Sequence, residues 1–234
     1  MREFEFPTTE EKVRELKAGD ELLLKGVIVT GRDVAHKFMM EEKPEFLRPI
    51  LEGNAIYHCG PIVKKTRDGW QFVSAGPTTS IREEPYEATI IEHYKVRGII
   101  GNGGMGPKTL EACKHFGCVY LHAVGGAACL LAESVIQVND VYKLKEFGTP
   151  EAFWVIEVKD FQVVVTMDTH GNSLHETIQK SSSEMAKIVF DIMDASFLAG
   201  ICASASGITG SSGKLSRLMP AIRVRERPHT RVAH

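Results

Sequence analysis

Val96-Arg97-Gly98-Ile99-Ile100-Gly101-Asn102-Gly103-Gly104-Met105-Gly106-Pro107 is the stretch that decides how this chain is read. An apolar run, Val96 to Ile100, leads into four glycines within the six residues 101–106, and a helix-like run, Pro107 to Phe116, follows. Such a glycine density requires either backbone conformations closed to other residues or the close approach of another group. Proline suits the first position of a helix. Strand, glycine turn and helix start together aim free N–H groups at one point, which favours an anion. Two other readings of the turn stay open. It is a tight bend and nothing more, or it is the dinucleotide fingerprint that Gly101-x-Gly103-x-x-Gly106 spells. The fingerprint wants an acid about 20 residues on. Residues 120–127 are Tyr-Leu-His-Ala-Val-Gly-Gly-Ala, so that reading is the weakest.

Working outward, two polar turns are expected to converge on the glycine turn: Thr30-Gly31-Arg32-Asp33-Val34-Ala35-His36-Lys37 and Gly76-Pro77-Thr78-Thr79-Ser80-Ile81-Arg82. A guanidinium grips a carboxylate with two parallel bonds. Arg32 and Arg82, one in each turn, therefore suit a small dicarboxylate, unless both are solvated surface side chains. His36 lies three residues after Asp33 on the same face of an expected helix. An aspartate there orients an imidazole for proton transfer near neutral pH. Thr78 is a poor base unless its neighbours activate it. Cys113-x-His115-x-x-Cys118-x-x-x-His122 lacks the paired short spacings of a structural zinc site, so these are read as ordinary buried residues and no metal is assigned to the chain. His170 and His175 flank a turn without evident partners.

The remaining patterns give mixed α/β architecture. A capping box, Thr8 with Glu11, opens a helix ending near Lys17. Strands are expected over 22–29, 55–59, 62–65, 70–74, 96–100, 119–122, 141–147, 153–158 and 161–167. Helices are expected over 34–42 with Asp33 as cap, and over 83–94, 107–116, 127–135 and 174–193. Hairpins alternate with helices, which argues for a mixed sheet rather than a doubly wound one. Residues 1–194 are read as one domain and 195–234 as a basic, low-complexity tail, disordered or non-native, with Ser211-Ser212-Gly213 as linker. From Lys214 on there are six basic residues and one acidic, whereas the rest of the chain holds 22 basic and 29 acidic. With 43% hydrophobic and 25% charged residues the composition is that of an ordinary globular protein. No apolar stretch approaches a membrane span. The charged start, Met1 to Pro7, and an odd count of five cysteines point to a reducing cytoplasm. A nucleic-acid partner is not expected.

Six motifs in order carry a resemblance: Thr30-Gly31-Arg32-Asp33-Val34-Ala35-His36-Lys37, His58-Cys59-Gly60-Pro61, Gly76-Pro77-Thr78-Thr79, Gly101-x-Gly103-Gly104-Met105-Gly106, Gly125-Gly126-Ala127-Ala128 and Asp168-Thr169-His170-Gly171-Asn172. Together, over roughly residues 5–180, the chain resembles the β subunit, or C-terminal domain, of class I iron–sulfur fumarases and L-tartrate dehydratases. The resemblance implies a swivelling β/β/α domain and a hetero-oligomer with β–β contacts. It implies a partner α subunit holding a [4Fe–4S] cluster, with none bound by this chain alone. The activity implied is reversible hydration of fumarate to (S)-malate, with tartrate dehydration or a non-catalytic, anion-binding or cluster-covering domain as alternatives. It assigns His36 and Thr78 to catalysis and Arg32, Arg82, Asn102 and Gly103 to the substrate. Most relatives in this family carry lysine where Asn102 stands, so the resemblance implies the loss of a positive contact here.

Overall fold

The structure, a computed structural model, describes residues 1–67 and 69–205, with side chains followed to residue 193. Residues 1–181 form one compact unit and a second begins at Ser182. In the first, β1 (Arg2–Phe6) and α1 (Glu10–Arg14) precede β2 (Glu21–Thr30), α2 (Asp33–Glu42), α3 (Arg48–Leu51) and β3 (Ala55–Tyr57). A hairpin of β4 (Ile62–Lys65) and β5 (Trp70–Ser74) leads to a 3₁₀ turn, Ser80–Glu83, and α4 (Glu84–Tyr94). Then follow β6 (Gly98–Gly101), α5 (Pro107–Phe116), β7 (Val119–His122), α6 (Ala128–Glu133), β8 (Val135–Tyr142), α7 (Leu144–Phe147) and β9 (Phe153–Met167). The last helix, α8 (Leu174–Ala205), runs past the expected boundary at 194/195. The linker at 211–213 and the basic tail lie outside the described residues.

The main sheet is mixed, as the pattern of elements predicts. Its order is β1-β2-β3-β6-β7-β9-β8, and β9 also pairs with β2. Pairs β2–β3, β3–β6 and β6–β7 are parallel, and β7–β9 and β9–β2 are antiparallel. These five strands therefore close a ring. Closure removes the free edges that an open sheet would leave on them. Side chains alternate across the ring wall, as the two-residue period of a strand demands. Ile28, Tyr57, Ile100, Leu121, Trp154 and Ile156 join one buried cluster. Their neighbours Val29, Ile56, Ile99, Tyr120 and Val155 join a second, with Ala35 and Met39 of α2, Ile90 and Ile91 of α4, and Ala112 of α5.

Several expected boundaries shift. The strands expected at 153–158 and 161–167 are one strand, and the break between them is a bulge. Leu24 and Gly26 oppose Phe161 and Val158, and Asp160 takes φ 56°. The strand expected at 141–147 is the end of β8 followed by the short helix α7. The first helix is capped at Thr9 rather than Thr8 and stops at Arg14. Asp33 does not cap α2: Arg32 takes that place, and the Asp33 carboxylate serves arginines instead.

Candidate functional site

The three turns meet at the C-terminal ends of parallel strands, where β2, β3 and β6 end. The Thr78 N–H donates to the His58 carbonyl (2.7 Å), and the Thr78 hydroxyl donates to the same oxygen (3.1 Å). The Ser80 N–H donates to the Asn102 carbonyl, and the Asn102 N–H to that of Thr78. The turn at 76–82 is thereby stitched between the end of β3 and the glycine turn. Gly101 is forced by proximity: a Cβ there would lie 1.8 Å from Ser80 Oγ. Gly103 and Gly104 take φ of 84° and 82°, the left-handed region.

The arginines share an acid. Arg82 donates to Asp33 Oδ2 at 2.7 Å, and Arg32 Nη2 lies 3.7 Å from that oxygen. Arg32 packs over Gly60, where a Cβ would meet its Nη1 at 2.6 Å. Its Nε lies 3.6 Å from Glu151 Oε1 and has no hydrogen-bond partner. Arg32 is thus held near two acids with no hydrogen bond from its guanidinium among the described residues. Arg32 and Thr78 are partly exposed and Arg82 is exposed, as is Gly103, while Asn102 is half-buried. Burial pushes the neighbouring Cys59 thiol up to about 12 despite the Arg32 charge, so it stays a thiol.

His36 is elsewhere in kind. It has 0% exposure, so in this structure it meets neither solvent nor ligand. The expected Asp33–His36 pair does not form. His36 Nδ1 contacts the Arg32 carbonyl at 2.9 Å, and Nε2 lies 3.2 Å from Glu87 Oε2. His58 Nε2 lies 3.2 Å from the same oxygen. Glu83 Oε2 is 3.8 Å from His36 Nδ1. Burial opposes a charge on His36, but Glu87, then Glu83 and the Arg32 carbonyl, outweigh it and raise its pKa to about 9. Burial likewise opposes a charge on Glu87, and the two histidines outweigh it, bringing the carboxyl to about 2. Burial dominates for His58, whose pKa falls. Burial also raises Glu83 to about 7.

The N-terminus of α5 is not the open anion cradle expected from the glycine turn. Glu84 already fills it: its carboxylate accepts from the N–H groups of Gly106, Lys108 and Thr109 and from the Thr109 hydroxyl, at 2.6–3.2 Å. The helix-end charge is answered within the chain. The Asp168 motif is also structural: its buried carboxylate accepts from the N–H groups of Ala18, His170 and Asn172 and from the Asn172 amide, closing the turn after β9.

Sequence reasoning missed Glu83, Glu84, Glu87 and Tyr120 as parts of this region, and gave Ser80 no role within its turn. A signal existed for Glu87. It shares the buried face of α4 with Ile90, Ile91 and Tyr94, at helical spacing, and a carboxylate on a core stripe needs partners. Cys113 and Cys118 are buried free cysteines, as expected. Among the described residues the one group of three His, Cys, Asp or Glu ligand atoms within 4.8 Å is His36, His58 and Glu87. Among the described residues no three cysteines gather at one point. No helix of the described residues is long and apolar enough to cross a membrane.

A family model described as "Fumarase C-terminus" matches residues 2–178. A Geobacillus stearothermophilus protein, whose name places it among class I fumarate hydratases, is 53% identical over 180 residues, 76% of this chain. The chain spans about a third (34%) of that relative's length. A Methanocaldococcus jannaschii protein named as an L(+)-tartrate dehydratase β subunit is 45% identical over 179 residues, covering 75% of this chain and 92% of its own. The L(+)-tartrate dehydratase β subunit of Escherichia coli K12 is 43% identical over 172 residues, 72% and 83% of the two chains. The chain belongs to the fumarase C-terminus family, which class I fumarate hydratases share with L(+)-tartrate dehydratase β subunits.

Proposed function

We propose that this chain is the β subunit of a class I fumarate hydratase, a swivelling domain that brings carboxylate-binding and proton-transfer groups to a site completed by an α subunit. The observation that carries this reading is the meeting of Arg32, Thr78 and Arg82 where three strands end, with no hydrogen bond from the Arg32 guanidinium among the described residues. Arg32 binds one carboxylate of fumarate through parallel N–H bonds. Arg82 binds the other, sharing its remaining donors with Asp33. Holding both ends fixes the central double bond, which turns addition of water into a positioned, effectively intramolecular step. The Thr78 hydroxyl, oriented by the hydrogen bond it donates to the His58 carbonyl, sits beside the malate carbon whose proton moves. Asn102 and the Gly103 backbone, on the glycine turn stitched to Thr78, offer neutral hydrogen-bonding groups beside them. His36, closed off from ligand, acts through the Arg32 backbone. The [4Fe–4S] cluster belongs to the α subunit and supplies Lewis-acid chemistry when bound there.

A second reading, the L(+)-tartrate dehydratase β subunit, is favoured by one fact: the relatives of that name are separate chains that this one covers nearly whole. One experiment separates the readings. The full chain is assembled with its α subunit under anaerobic conditions, and turnover of fumarate, malate and L(+)-tartrate is measured. Fumarate hydration with the higher kcat/KM is expected. Arg32→Ala and Arg82→Ala should each lower kcat/KM about 100-fold, roughly 3 kcal/mol of transition-state stabilisation. Full turnover in both variants would refute the site.

A further inference from the structure

The proton positions around Glu87 follow from donors and acceptors whose direction is fixed. The Gly104 N–H donates to the Tyr120 hydroxyl oxygen (3.3 Å), and that hydroxyl donates to Ser80 Oγ (2.9 Å). The Asn102 N–H donates to Ser80 Oγ as well (3.1 Å). A serine oxygen has two lone pairs, both now used, so its own proton goes to His58 Nδ1 at 2.9 Å. His58 therefore carries its proton on Nε2, facing Glu87 Oε2. On the other side, a carbonyl can only accept, so His36 Nδ1 holds a proton for the Arg32 oxygen. Its Nε2 then turns a lone pair on a Glu87 carboxylate, accepts from a protonated Glu87 carboxyl, or carries a second proton. The first is repulsive at 3.2 Å; the second would make the one oxygen that both rings face donate to His36 while it accepts from His58, so the third, a carboxylate facing two N–H groups, is the arrangement the contacts favour. Neither Nε2–Oε2 contact is a well-aligned hydrogen bond: that of His36 is an ion-pair contact, and that of His58 a dipole–charge contact. The result is an imidazolium, a carboxylate and a neutral imidazole packed without solvent, the two rings 4.9 Å apart and edge to face.

Every branch of this network ends on a substrate-facing turn. Through His36 the carboxylate reaches the backbone of Arg32. Through His58 it reaches Ser80, two residues from Thr78, and through Ser80 and Tyr120 the N–H groups of Asn102 and Gly104. We propose that Glu87 is a positioning residue: one buried carboxylate, clamped between His36 and His58, that holds the Arg32, Thr78 and glycine turns in mutual register. This rests on the hydro-lyase reading of those turns, but the network itself is testable without turnover.

The test uses the full chain with ¹⁵N-labelled histidine. At pH 7, two-bond ¹H–¹⁵N spectra should show His36 protonated on both nitrogens and His58 on Nε2 alone. Glu87→Gln is the diagnostic variant, since a glutamine can still bridge two neutral imidazoles but cannot charge one. A purely space-filling role would survive it. The network predicts a neutral His36 in this variant and at least tenfold faster amide exchange at Asn102 and Gly104. In the assembled enzyme it predicts a kcat/KM at least tenfold lower. A neutral His36 in the parent chain would overturn the proposal, as would parent-like exchange in Glu87→Gln. Uptake of one equivalent of zinc with loss of both Nε2 protons would overturn it in favour of a metal site. Should Arg32→Ala leave turnover intact, the hydro-lyase reading fails while the spectra still decide the network.

Discussion

Gly101 and Gly103 are two residues apart in one turn, yet they are glycines for different reasons. At Gly101 a methyl group would sit 1.8 Å from Ser80 Oγ and 3.1 Å from both His58 Nδ1 and Tyr120 Oη. At Gly103 a methyl group would meet nothing within 4 Å, and only φ of 84° resists it. Overpacking a buried polar junction costs about 1–3 kcal/mol, beyond any hydrogen bonds broken. A left-handed alanine costs roughly 1–2 kcal/mol. Urea denaturation should therefore find Gly101→Ala the more destabilising of the two. Its partner test is the histidine spectrum: Gly101→Ala should release the His58 tautomer, and Gly103→Ala should leave it alone. Equal losses with an unchanged His58 would show that the turn tolerates a side chain at either place. At this scale the sequence put Arg32, Thr78 and Arg82 in turns expected to converge, and the turns do meet. It misled about the partner of His36. The Asp33–His36 spacing is real, but Arg82, distant in sequence, claims the aspartate, and Glu87 claims the histidine.

At the scale of the element, α5 shows why a glycine turn before a helix does not by itself make an anion site. The free N–H groups at a helix start do attract negative charge, and here α4 supplies it through Glu84. Glu84→Ala should cost about 1–2 kcal/mol in chemical denaturation, the range for losing a cap together with its charge. Glu84→Gln should cost less, since it keeps an acceptor for Gly106 or Thr109. Equal stability of Glu84→Ala and the parent would mean that water serves these donors as well. The strands around this helix, Gly98–Gly101 and Val119–His122, were legible as short apolar runs, because parallel strands covered on both faces are buried throughout. The element bounds were not, where two rules competed. Lys159 and Asp160 look like the end of a strand and are a bulge inside one. Leu144 to Phe147 looks like the continuation of a strand and yet turns into a helix after Lys143, which takes φ 62°. The closure of the ring was beyond sequence patterning altogether, because it depends on β9 being long enough to pair with β2, β7 and β8 at once.

For the whole molecule the buried charges give a pH dependence whose sign is fixed. Around His36 the charged and titratable groups are Glu83 and Glu87 from the α4 segment, His58 from the end of β3, and Arg32 and Asp33 at the start of its own helix. A pKa raised by folding to about 9 means stability that is complete below His36's ordinary value of 6.5 and is lost as pH climbs through 9. Glu83, raised to about 7, loses its contribution between 4.5 and 7. Glu87, lowered to about 2, and His58, also lowered, act in the opposite sense: their contributions are lost as the solution turns acid. At pH 7 the acid-side terms are saturated but Glu83 is at its midpoint, so His36 dominates this cluster's slope only from about pH 8 to 9. Thermal and urea unfolding of the full chain should show stability falling over pH 8–9, with about 1.4 kcal/mol per pH unit as the limit for this one proton. Glu87→Gln should flatten that slope whatever it does to stability at pH 7, because it removes the partner that charges His36. A slope equal in parent and variant would place the titrating group elsewhere, and with it the electrostatic centre of the fold.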